Sequence, residues 1–296
     1  MNIFHIISIL VSVSALFMYL NYKYVKLPST IGIMILSLGA SFLLQFFEIF
    51  NFNISLAEDL ISSIDFNETL MNGMLSFLLF AGALHIDIDD LKKQKWIILT
   101  LATIGVISST FLVGLFMYFI LNNIGIGIKF IHCLLFGALI SPTDPISVLG
   151  ILKQAGAPKT LETKIAGESL FNDGVGVVIF SVILNICLNE SEININQALI
   201  LFLKEAFGGI LLGLIVGWCY YKLLKSVDNY SLEILLTLSL VMGSYSIAPL
   251  LHVSGPLAMV ISGLFIGNHG KLFAMSKTTH RQLFSFWELI DEFLNA

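Results

Sequence analysis

Asp144, Glu168 and Asp173 are the residues of this chain best placed to do chemistry, because each sits inside a long apolar stretch. An ionised side chain at the centre of a membrane helix costs about 2.5–3.5 kcal/mol on the insertion scale. Facing lipid, the three together would cost about 8–10 kcal/mol, more than a marginally stable protein can spare. They are therefore expected to face a cavity or one another. Acids so placed can bind and release protons, or hold a hard cation through their oxygens. A polar network that only fixes helix register is the alternative use of such groups.

The local sequence around each acid sharpens this. Pro142 and Pro145 flank Thr143-Asp144, and each proline removes an amide donor and opposes helix continuation, so a helix over 130–151 is expected to break within Ser141–Pro145. Irregular backbone at membrane depth is tolerated only where it lines protein or a water-filled cavity, as in the broken helices of secondary transporters. The freed amides and the dipole of the second half-helix favour a nearby anion, which Asp144 supplies. In a following helix over 162–188, residues four apart share a face, so Ser169 stacks on Asp173 and Glu168 stacks on Asn172. Gly167, Gly174 and Gly176 flank these stripes and allow another backbone to come close. The oxygens available in this corner are the Asp173 carboxylate, the Ser169 hydroxyl, the side chain or carbonyl of Thr143, and Asp144 through water. Such a set suits a hard cation.

The elements that must position these groups are read from composition. Hydrophobic residues make up 57% of the 296 and charged residues 12%, half the roughly 25% of a soluble domain, and mean hydropathy is +0.91. A bilayer core of about 30 Å takes about 20 helical residues to cross. Apolar runs of that order predict an all-α integral membrane fold of about nine to ten helices, at roughly 3–22, 30–50, 70–87, 96–121, 130–151, 162–188, 198–221, 232–249 and 255–267, with a last one starting near 281. Basic residues gather on one side, with only Lys129 and Lys204 on the other: Lys23, Lys26, Lys92, Lys93, Lys95, Lys153, Lys159, Lys164, Lys222, Lys225, Lys271, Lys277 and Arg281. The intervening loops carry Glu48, Glu58, Asp59, Asp65, Glu68, Glu190 and Glu192. By the positive-inside rule the basic side is cytoplasmic and the N-terminus outside. Met1–Leu20 lacks a basic n-region and an A-x-A site, so it is expected to be a retained helix. The formal charge of −5 is a sum over two surfaces of opposite sign and gives nucleic-acid binding no support. Cys133, Cys187 and Cys219 lack metal-site spacing and are read as core thiols. Asp87, Asp89 and Asp90 beside Lys92 and Lys93 read as a solvated cluster. Glu233, at a helix start, is adequately explained by the helix dipole.

Thr143-Asp144-Pro145 followed by Gly167-Glu168-Ser169-Leu170-Phe171-Asn172-Asp173-Gly174 resembles the paired signature of the NhaP-like branch of the sodium/proton exchangers, which are monovalent cation:proton antiporters. The resemblance implies exchange of a cation, sodium foremost with lithium or potassium as alternatives, for protons across the inner cell membrane, in the service of pH homeostasis. It implies no cofactor, no enzymatic reaction and a homodimer in the lipid bilayer. It makes Asp173 the carboxylate that exchanges ion for proton, places Asn172 where electrogenic relatives carry a second acid, and has Asp144 compensate the broken helix. Cation binding would fall to Asp173, Ser169 and Thr143, with Asn172 and Asp144 beside them and Glu168, Pro142 and Pro145 as structural core.

The same resemblance implies two inverted six-helix repeats. Residues 1–189 then form the first repeat, 190–230 a linker helix, and 231–296 the opening half of the second. The arginine that partners Glu168 in the family would lie beyond residue 296, which leaves Glu168 without that partner. Other readings of the same residues are a complementing or inactive fragment of an antiporter, a non-transporting membrane scaffold, and an intramembrane aspartyl protease. The protease needs two acids that share a proton, and its G-x-G-D and Y-D contexts are missing around Asp144 and Asp173.

Overall fold

The structure is a computed structural model that describes residues 3–50, 62, 69, 73–145, 148, 152, 155–188, 195–270 and 275–295. All described regular structure is helical, and the chain forms two compact units, 1–74 with 292–296, and 75–291.

The first unit holds α1 (Ile3–Leu20), which runs into a π-helical turn at Asn21–Val25, and α2 (Ser29–Ile49). One buried asparagine makes the corner between them. The Asn21 side chain donates to the Leu27 carbonyl at 2.9 Å and accepts from the Leu27 amide at 3.3 Å. Lys26 takes the left-handed conformation (φ 58°), and its amide closes onto the Asn21 carbonyl at 2.7 Å.

The second unit contains α3 (Leu75–His85), α4 (Ile88–Thr100), a π-helical turn (Leu101–Gly105) and α5 (Val106–Asn123). It continues through α6 (Phe130–Ile140), α7 (Lys159–Leu188), α8 (Ile195–Lys225) and α9 (Tyr230–Leu250). Last come α10 (Gly255–Phe265), with a π-helical turn at Ile266–Gly270, and α11 (Lys277–Leu294), which belongs to this unit as far as Asp291. Side chains fix several starts. Asp87 caps α4 by accepting from the amides of Asp89 and Asp90, Asn229 caps α9 the same way, and Ser254 caps α10. The core of the unit is built from Phe80 and Leu84 of α3, Leu240 of α9, Met259 of α10, and Leu283 and Trp287 of α11. Asn268 ties two segments by accepting from the Ile88 amide at 2.9 Å and donating to the Ile86 carbonyl at 3.0 Å. Outer positions such as Phe116, Leu139, Ile200, Phe207 and Leu250 stay exposed and apolar, the surface a bilayer covers.

Among the described residues five helical stretches are long and apolar enough to cross a membrane: His5–Val25, Ile88–Asn123, Lys159–Leu188, Asn196–Lys225 and Tyr230–Leu250. Two expectations shift. The polar run after α3 is not a loop: α4 starts at Ile88 rather than near 96, because Asp87 caps it and acids in its first turn suit the helix dipole. Lys92, Lys93 and Lys95 therefore lie on a helix. Likewise Lys159 and Lys164 sit in the opening turns of α7, and Lys222 and Lys225 in the last turn of α8. Most of the segment 146–154, with Lys153, and the acids Glu58, Asp59, Asp65, Glu68, Glu190 and Glu192 lie outside the described residues, as does Lys271.

Candidate functional site

α6 ends at Ile140, and the backbone from Ser141 to Pro145 is not helical. Ser141 finishes the helix by donating its hydroxyl to the Gly137 carbonyl at 2.6 Å, and receives the Thr110 hydroxyl of α5 at 3.3 Å. Gly137 lets this happen, since a Cβ there would collide with the Thr110 carbonyl. Pro142 then turns its ring onto α7 at Gly176, where a Cβ would overlap the ring itself.

One residue further on, Thr143 is stitched to α7 by hydrogen bonds. The Asn172 amide donates to the Thr143 hydroxyl at 2.9 Å and to Glu168 Oε1 at 2.7 Å. The Thr143 hydroxyl in turn reaches both Glu168 oxygens at 3.5 Å. The predicted stacking of Glu168 on Asn172 is thus an actual bond, and it joins a residue across the helix break. Asn172 is fully buried, and its Oδ1 has no hydrogen-bond partner among the described residues. Glu168, expected to lack its partner, instead takes its bonds from two neutral donors.

α7 is held by two further helices, α10 and α4. Gly174 lies against Leu257 of α10, Gly167 against Leu91 and Ile98 of α4, and Lys159 reaches back to Asp90 Oδ2 at 2.8 Å. Asp90 also receives Lys93 at 2.8 Å, and Lys92 pairs with Asp89 at 3.2 Å, so the cluster at the head of α4 is ion-paired as well as solvated.

Asp173 follows Asn172 and points off a different face of α7. The charges within electrostatic reach of its carboxylate are those of Asp144 and Glu168. Ser169, one turn earlier, is buried, while Thr143 and Asp144 are open. The structure therefore gathers Thr143, Asp144, Glu168, Ser169, Asn172 and Asp173 between the end of α6 and the middle of α7. Among the described residues no group of three or more His, Cys, Asp or Glu side chains could hold a metal ion. A cation here would draw on hydroxyl and carbonyl oxygens beside a single carboxylate.

Sequence reasoning missed one buried acid. Glu233 lies at the start of α9 as expected but is fully buried, not a surface residue settled by the helix dipole. Its burial is a tertiary feature that position in the first turn of a helix does not reveal.

Comparison with known proteins bears on the family and the fold. The sodium/hydrogen exchanger family, in its transmembrane region, matches residues 12–296. The chain is 48% identical over 293 residues to the Na(+)/H(+) antiporter NhaP of Pseudomonas aeruginosa, covering 98% of this chain and 69% of that protein. It is 36% identical over 234 residues to the Na(+)/H(+) antiporter NhaH of Halobacillus dabanensis, spanning 57% of that protein. Among solved structures, the sodium proton antiporter MjNhaP1 of Methanocaldococcus jannaschii shares the fold with a TM-score of 0.73 at 21% identity, over 99% of this chain and 68% of that one. The all-helical membrane fold and the family read from the paired motif are those found. The chain is a multi-pass membrane protein belonging to the sodium/hydrogen exchanger family.

Proposed function

We propose that this chain carries the ion-exchange site of a Na⁺/H⁺ antiporter, with Asp173 as the carboxylate that takes a cation and a proton in turn. The observation that carries the reading is the knot of Thr143, Glu168 and Asn172, which fixes the broken end of α6 beside Asp173. Relatives named as antiporters over most of the chain support it.

The chemistry follows from the donor set. Ser169 lies one helical turn before Asp173, and Thr143 keeps a lone pair and a backbone carbonyl after bonding to α7. Na⁺ would sit against the Asp173 carboxylate with these oxygens, and Asp144 would add charge through water. Asn172 and Glu168 hold the geometry and do not exchange, and Pro142 and Pro145 keep the backbone open. A partly dehydrated carboxylate holds a proton or a metal ion but not both, because each neutralises the same charge. If the site moves between inward and outward openings only when neutralised, competition becomes coupled exchange, one cation per proton. No cofactor and no bond-making step is needed.

In this reading the protein lies in the inner cell membrane with its N-terminus outside and works as a homodimer. Residues 1–189 form one six-helix repeat, 190–230 the linker and 231–296 the opening of the next. Asp173→Asn should abolish sodium-driven pH change in everted vesicles. Activity equal to that of the unsubstituted protein would sink the assignment.

A further inference from the structure

Among the described residues of the second unit Glu233 is the one acid that is completely buried, and both of its carboxyl oxygens lack a hydrogen-bond partner there. Among the described residues, the donors at this end of α9, and those of α11 bonded to it or to Asp228, are committed elsewhere. The Thr237 hydroxyl, one turn along α9, donates to the Ile234 carbonyl at 2.9 Å. The Trp287 indole N–H of α11, which can only donate, goes to Thr237 at 3.0 Å. The Thr279 hydroxyl goes to Asp228 at 3.1 Å. The amides of Ser231 and Leu232, which could serve an anion at the start of α9, are taken by the Asn229 side chain. The Asn229 backbone amide lies close to Glu233 without reaching hydrogen-bond geometry.

Among the described residues, charge is no better compensated. Asp228, in the turn between α8 and α9, acts on Glu233, and its sign is the same. Lys222 and Lys225 of α8, His85 of α3, and Lys277, His280, Arg281 and Glu288 of α11 are not among the charges that do. An ionised carboxylate buried with no full hydrogen bond and no counter-charge among the described residues has little to replace its lost hydration. A protonated carboxyl is merely a polar group, and removes the repulsion from Asp228.

From this we propose that Glu233 is a proton-binding site, separate from the Asp173 corner, that is carried protonated in the folded protein. Its proton keeps α11 seated on α9. Loss of that proton would place a bare charge one turn from the Thr237–Trp287 bond, so α11 is the element that must move when Glu233 ionises.

Infrared difference spectroscopy of the purified whole chain in lipid tests this without reference to transport, so it stands or falls apart from the antiport reading. At neutral pH, wild type minus Glu233→Gln should show the carbonyl stretch of one protonated carboxyl, at the high-frequency edge where acids without hydrogen bonds absorb. The same band should persist in Asp173→Asn. Should Glu233→Gln fail to fold, wild type labelled with carbon-13 glutamate should show that edge band shifted, and the Glu168 carboxyl cannot mimic it because Asn172 and Thr143 bond to it. Loss of carboxylate bands only in Glu233→Gln, or no labelled band at that edge, would overturn the proposal.

Discussion

The bond from Asn172 to Thr143 joins α7 to the broken end of α6, and a double-mutant cycle can measure it. Asn172→Ala removes two bonds at once, to the Thr143 hydroxyl at 2.9 Å and to the Glu168 carboxylate at 2.7 Å. Interhelical hydrogen bonds in membrane proteins contribute about 0.6–1.7 kcal/mol, and bonds to charged groups about 1.5–3 kcal/mol. The substitution should therefore cost about 2–5 kcal/mol of unfolding free energy. Thr143→Val keeps the shape of the side chain and deletes only the hydroxyl. The two changes together should cost less than their sum by about 0.6–1.7 kcal/mol, the coupling of the one bond they share. Forced unfolding of single molecules in bicelles supplies the four free energies. Distant, independent sites add to within about 0.3–0.5 kcal/mol. A coupling inside that margin would show that the bond does not hold the break to α7.

Other substitutions probe the supports of the site. Gly176→Ala drives a methyl group into the Pro142 ring and should destabilise by about 1–3 kcal/mol, as overpacking does; unchanged stability would mean the break does not rest on α7 there. Trp287→Phe keeps the ring that packs on Phe80 at 4.7 Å between centroids but loses the bond to Thr237. A loss of about 0.5–1.5 kcal/mol, matched and not doubled by adding Thr237→Val, is expected. Lys159→Met removes a pair whose lysine side chain is 79% exposed, and should leave the melting temperature within experimental scatter. A clear drop would assign the head-to-head tether of α4 and α7 a larger part in placing the site.

Much of the site was legible because its signals are local. Pro142 and Pro145 announce the break through missing amides, and the spacing of Glu168 and Asn172 announces their contact through helix geometry alone. The bond from Asn172 to Thr143 crosses the break, and spacing along one helix cannot show it. The start of α4 was misread because hydropathy marks where a helix enters lipid, whereas Asp87 begins this one in its polar approach. Glu233 was misread for a related reason. Its place in the first turn of α9 is visible in the sequence, but its burial is set by tertiary packing, which no local pattern shows.

Competition at Asp173 is the claim on which the proposed function rests, and sodium binding to the purified protein measures it directly. Radioactive sodium, titrated at several pH values, should bind more weakly by about tenfold for each tenfold rise in proton concentration across the range where protons compete. Asp173→Asn should remove both the binding and its pH dependence. Sodium affinity that stays constant as pH falls, or sodium binding that survives in Asp173→Asn, would contradict exchange at this carboxylate.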